Sequence, residues 1–149
     1  MTENDAVTAA VVVIGNEVLS GRTQDVNVQF LALGLGELGI SLDEVRIIAD
    51  VEDEIVSAVN LLRDKYDYVF TTGGIGPTHD DITTASVSKA FGRAMIRNPE
   101  AEAILLSNYK PEDVTEARMK MADTPDGDDV VLIQNPVSKA PGYQVENVF

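Results

Sequence analysis

The chain has 149 residues, enough for one domain with its own core and too few for two of ordinary size. A hydrophobic fraction of 44% and a charged fraction of 24% exclude a disordered or fibrous chain. Eleven basic residues against 25 acidic ones give a net charge of −14, which repels nucleic acid and anionic lipid at long range. Thr8–Ile14 (TAAVVVI) is a continuous β-branched run and predicts a strand buried on both faces. After a polar loop over Gly15–Thr23, the spacing of Val28, Leu31, Leu35 and Leu38 predicts a helix from about Gln24, ended by Gly39. Gly34 and Gly36 inside it each cost about 1 kcal/mol relative to Ala unless they permit close packing.

Val45–Ala49 is a second strand, and Ile55, Val59 and Leu62 mark a second helix opened by the acidic group Glu52–Glu54. Tyr66–Thr71 is a third strand, followed by a glycine-rich turn and a helix over Asp80–Phe91. Pro99 and Pro111 suit the first turns of helices, and Val114, Ala117 and Met121 form a further apolar stripe. Thr124–Asp129 is a turn, Val130–Ile133 a strand and Tyr143–Phe149 the last strand. Strands alternating with helices predict an α/β fold, a three-layer α/β/α sandwich with a mostly parallel sheet. Val145–Phe149 reads as the start of a strand with no cap or polar tail after it. The expectation is a single domain over residues 1–149, in which either this edge strand simply stops or the C-terminus is cut short from something longer.

There is no cysteine, so disulfides and thiolate chemistry are excluded, and a reducing compartment fits. The start is acidic (Glu3, Asp5), no basic region precedes Val11–Ile14, and no apolar run approaches a membrane span. The expected location is the cytoplasm.

The segment that carries chemistry is Thr71-Thr72-Gly73-Gly74-Ile75-Gly76-Pro77-Thr78-His79-Asp80-Asp81-Ile82-Thr83, placed where open α/β sheets bind ligands. Its spacing is neither the dinucleotide G-x-G-x-x-G nor a P-loop Gly-Lys-Ser/Thr. Gly73, Gly74 and Gly76 are therefore read as cradling a phosphate-sized anion through backbone N–H groups rather than through Lys or Arg, with Thr72, Pro77 and Thr78 beside them in the ligand site. Two acids beside an anion call for a hard divalent cation of the Mg²⁺ type, with Asp80 and Asp81 as its ligands. Glu17 and Asp50, at the carboxyl ends of the first two strands, can converge on the same place, as a phosphoryl or nucleotidyl site requires.

The plainer alternative is turn chemistry, since Thr78-x-x-Asp81 also fits a capping box and acids suit a first helical turn. His79, the single histidine, reads as a hydrogen-bonding bystander. A second candidate is the loop Asn135-Pro136-Val137-Ser138-Lys139-Ala140-Pro141-Gly142-Tyr143, in which Asn135 can reach a ligand. An ordinary rigid connection is the alternative there.

Together these segments resemble the molybdopterin-binding (MoaB/Mog-like) domain, and more closely its branch in competence/damage-inducible protein A (CinA) and in some FAD synthetases. The pieces are Ile14-Gly15-Asn16-Glu17-Val18-Leu19-Ser20-Gly21, Asp25-Val26-Asn27, the Asp50 loop, the Thr-Thr-Gly-Gly segment and Asn135–Tyr143. The resemblance implies a homo-oligomer, trimer or dimer, with a pocket for a phosphorylated pterin or nucleotide at the glycine-rich loop. It implies functional roles for Asp50 and Asp81 and a place for Glu17 and Asn27 in the pocket wall. For the CinA-like branch it implies metal-dependent hydrolysis of ADP-ribose-type pyrophosphates, which His79-Asp80 favours because a second carboxylate suits a cation. For the molybdopterin branch it implies molybdopterin as ligand and adenylyl transfer; a non-catalytic binding module is the third reading. Ser138-Lys139 departs from that branch's Gly-Thr. The branch's Pro-Gly-x-Pro loop is expected beyond the last residue given.

Overall fold

A computed structural model describes residues 5–149; the acidic start noted at Glu3 lies outside them. The chain runs β1 (Thr8–Ile14), a single turn α1 (Asn16–Leu19), α2 (Asn27–Glu37), β2 (Ser41–Ile48), α3 (Glu52–Lys65), β3 (Tyr68–Thr72) and α4 (Thr83–Ala90). There follow β4 (Met95–Arg97), α5 (Pro99–Asn108), a 3-10 turn at Pro111–Asp113, one-turn α6 (Glu116–Met119), a 3-10 turn at Lys120–Ala122, β5 (Asp123–Pro125), β6 (Val131–Ile133) and β7 (Gly142–Gln144).

β1 takes the centre of a parallel sheet of order β2-β1-β3 because Ala9 through Ile14 are apolar on both faces and all buried. Residues 147–149 continue the sheet beside β3: the Val69 amide donates to the Asn147 carbonyl at 2.9 Å and the Phe149 amide to the Val69 carbonyl at 2.8 Å. On one face, Ile55, Ala58, Val59 and Leu62 of α3 and Val87 and Ala90 of α4 pack on Ala10, Val12 and Ile14. Each fully buried aliphatic there contributes about 1.5–3 kcal/mol, so this face is the main core. α2 lies over the other face beside β2, and of its residues only Leu35 is buried. Phe30 and Leu33 stay 78% and 65% exposed. Gly34 and Gly36 do not serve close packing, since a Cβ on either would meet nothing within 4 Å.

The expected three-layer α/β architecture is present, with several boundaries moved for local reasons. α2 begins at Asn27 rather than Gln24 because the Asp25 carboxylate accepts from the Val28 amide at 2.9 Å and closes a turn ahead of the helix. β2 starts four residues earlier than predicted, at Ser41. α4 begins at Thr83, not Asp80, because Thr78–Asp81 forms its own closed turn. Pro99 does open α5, capped by Asn98, whereas Pro111 starts only one 3-10 turn. Within the predicted turn at Thr124–Asp129, Thr124 and Pro125 belong to β5, which pairs antiparallel with β4. The predicted last strand divides in two. β7 pairs with β6, outside the main sheet, and Glu146, in the left-handed region at φ 50°, swings residues 147–149 onto β3. No helix among the described residues is long and apolar enough to cross a membrane.

Candidate functional site

β3 delivers the chain to the sheet's carboxyl edge, where glycine is required for spatial reasons that differ from position to position. At Gly73 (φ +89°) a Cβ would lie 2.0 Å from the Ile14 carbonyl oxygen, so the backbone of the loop crosses directly over the end of β1. At Gly74 (φ +67°) it would lie 2.2 Å from Thr83 Oγ1. The fully buried Thr83 closes the loop onto α4: its hydroxyl donates to the Gly73 carbonyl at 2.8 Å and its amide to the Gly74 carbonyl at 3.1 Å. Among the described residues, the amides of Gly74 and Ile75 have no protein acceptor. This leaves donors for an anion, as the glycine pattern suggests.

The two acids of the motif part company. Asp81 turns inward, and its Oδ2 accepts from the Thr78 amide at 2.9 Å and the Thr78 hydroxyl at 2.7 Å. Burial pushes its pKa up, but the Thr78 hydroxyl and amide, the Gly76 amide and the Lys120 charge outweigh burial and hold the carboxyl below its ordinary value. Asp80 faces solvent, with Oδ1 3.3 Å from His79 Nε2. The loop is thus a wall between hollows. Gly74, Gly76 and Asp81 border one of about 130 Å³ that also holds Met95, Met121 and Tyr143. Thr72 and Gly73 border a larger one of about 420 Å³ with Asn27, Phe30, Phe70 and Phe149. His79 and Asp80 border a third, polar hollow with Asn16, Glu17, Arg22 and Asp50.

Asp50 is fixed by a reciprocal pair across the ends of β1 and β2. The Asn16 amide donates to Asp50 Oδ2 at 3.0 Å and the Asp50 amide to Asn16 Oδ1 at 3.3 Å. Its other oxygen, Oδ1, lies 3.5 Å from where a Gly74 Cβ would stand, so Asp50 meets the glycine loop from below. Glu17, Asp50 and Asp80 share one hollow; Asn27 stands on the neighbouring one; Pro77 and Thr78 are exposed on the loop's outer turn. Asn135 is placed elsewhere. Its side-chain oxygen accepts from the Val137 and Ser138 amides at 3.1 and 3.2 Å, and it lines a separate hollow with Ile104 and Lys139. Among the described residues no three His, Cys, Asp or Glu side chains form a ready-made cage for a cation. A Mg²⁺-type ion, which needs only one or two carboxylates with ligand phosphates, fits Asp50 and Asp80 better than Asp80 and Asp81.

Two basic residues that the glycine pattern does not signal stand at the loop. Arg22 lines the polar hollow, and Lys120 Nζ donates to the Thr78 carbonyl and, at 2.7 Å, to the Asp81 carbonyl. Lys120 comes from 39 residues beyond Asp81, so no local spacing could reveal it.

The family model "Probable molybdopterin binding domain" matches residues 10–148. A protein of Pyrobaculum calidifontis is 40% identical over 141 residues, covering 93% of this chain and 53% of that protein. The chain thus spans about half the length of that curated relative. A "Probable FAD synthase" of Caenorhabditis briggsae is 45% identical over 84 residues, covering 56% of this chain and 16% of that protein. The crystal structure of the protein CinA from Thermoplasma acidophilum superposes with a TM-score of 0.84 at 35% identity, covering 93% of this chain and 80% of that one. A glycine loop braced by Thr83 over Asp50, in a parallel three-layer fold matched almost end to end, places this chain in the molybdopterin-binding-domain family, on its CinA-like side.

Proposed function

We propose that the chain binds a phosphorylated nucleotide- or pterin-type small molecule at the glycine loop and hydrolyses the pyrophosphate bond of an ADP-ribose-type substrate. The observation that carries the reading is the loop itself: Gly73 and Gly74 admit no side chain, and the Gly74 and Ile75 amides lack a protein acceptor. A diphosphate seated there would lie close to Asp50 and extend toward the neighbouring polar hollow that holds Glu17, Arg22 and Asp80. Arg22 would offset part of its charge, and the half-buried Asp50 carboxylate would accept a proton from, and orient, the attacking water. Asp50 and Asp80 would hold a divalent cation, which when bound polarises a phosphoryl oxygen. In the reaction the water oxygen bonds to phosphorus and the P–O–P bridge breaks, leaving AMP and ribose 5-phosphate. The likeness to a FAD synthase over part of the chain supports a nucleotide in this role.

The test is incubation with ADP-ribose or FAD and Mg²⁺, against molybdopterin with ATP. Mg²⁺-dependent release of AMP is expected, and Asp50→Asn should keep the fold while lowering turnover at least 100-fold, about 2.7 kcal/mol of barrier. Full turnover by that variant would refute the role of Asp50. Adenylylated molybdopterin as the sole product would put the chain with the transferases, and ligand uptake without product would make it a binding module.

A further inference from the structure

We propose that Lys120 is the loop's built-in counter-cation, a positioning residue that aims the backbone amides of His79 and Ile82 at the bound anion. Lys120 stands on the 3-10 turn Lys120–Ala122, whose flanks Met119 and Ala122 are buried in a second apolar cluster with Ala101 and Leu105. Its stem therefore rises from a fixed base. From there Nζ donates to the carbonyls of Thr78 and Asp81, the two ends of the turn that the Asp81 carboxylate closes on Thr78.

A trans peptide is planar, with C=O and N–H pointing in opposite directions. Drawing the Thr78 carbonyl toward Lys120 thus sends the N–H of the same peptide, that of His79, the other way. The Asp81 carbonyl does the same for the N–H of Ile82. Neither amide has a protein acceptor among the described residues. His79 and Ile82 both line the polar hollow that holds Asp50 and Arg22 and that Lys120 does not reach; Ile82 stands between it and the hollow that Lys120 borders. One ammonium thus neutralises the crowded carbonyls and the Asp81 carboxylate on one side of the loop. At the polar hollow it turns out two further N–H donors, those of His79 and Ile82, while Gly74 and Ile75 offer theirs at the adjoining hollow. The carboxylates beside an anion need not rely on a metal alone for compensation.

The inference rests on the proposed anion site, and the experiment separates the two. ADP is titrated into the protein with Mg²⁺ present, read by calorimetry and by amide NMR. The unaltered protein should bind ADP with shifts at Gly74, Ile75, His79 and Ile82. Lys120→Met should keep the thermal midpoint to within a few degrees, weaken ADP at least tenfold and lose the His79 and Ile82 shifts while retaining that at Gly74. Lys120→Arg should restore part of the affinity. Should Lys120→Met not fold, Lys120→Gln, which keeps a donor without the charge, is expected to show the same loss. Affinity and His79 and Ile82 shifts unchanged in the neutral variant would overturn the role of Lys120. No ADP shifts at the loop in the unaltered protein would overturn the anion site on which the role depends.

Discussion

The loops Gly73–Asp81 and Asn135–Gly142 look alike as sequence, each rich in Gly or Pro with a few polar residues after a strand, yet they are held in different ways. The first is braced from outside itself by Thr83 of α4, by the end of β1 pressing on Gly73, and by Lys120 from across the molecule. The second is held by its own atoms, with Asn135 accepting from Val137 and Ser138 and donating to the Ser138 hydroxyl at 2.7 Å. A loop fixed by distant groups can present its amides in one arrangement to a ligand. A loop that uses its polar side chain on itself fits the rigid connection that the sequence left open for it beside a ligand role.

Three substitutions sharpen or break that contrast. Gly73→Ala should do most damage, because the new Cβ would lie 2.0 Å from the Ile14 carbonyl oxygen in a left-handed backbone. We expect a loss of about 3 kcal/mol or more in urea unfolding, and of ADP binding with it. Thr83→Val keeps the shape of a fully buried side chain but leaves the Gly73 carbonyl without its donor. About 1–3 kcal/mol should be lost, with freer amide exchange over Gly73–Ile75. Asn135→Ala removes bonds made at an exposed turn, and should cost about 0.5 kcal/mol and leave ADP affinity as it was. A large loss of ADP affinity in this last variant would show that the two loops work together and end the contrast.

Much of the fold was legible. The β-branched run of β1, the acidic opening and apolar spacing of α3, and Gly39 after α2, with φ +77°, follow from local chemistry that the tertiary structure did not override. Of the short strands, β6 and the start of β7 were legible in Val130–Ile133 and Tyr143–Phe149, whereas β4 and β5, of three residues each, are too short to show an alternation and exist because each lies beside the other. Pro111 carries the same helix-start signal as Pro99, but the chain after it makes one 3-10 turn and bends away at Val114.

At the site, composition and spacing determined where the glycines fall, that acids follow them, and that this happens after a buried strand. Those are properties of consecutive residues, and a sequence displays them directly. The bond of Asp81 to Thr78 is the local closure that Thr78-x-x-Asp81 allows, but only the tertiary structure decided that Asp50 meets the loop from another strand end and that Lys120 supplies the positive charge. Such facts depend on which carbonyls and carboxylates face each other across tens of residues. Electrostatic and hydrogen-bond energies fall away within a few ångströms of space, whatever the distance along the chain.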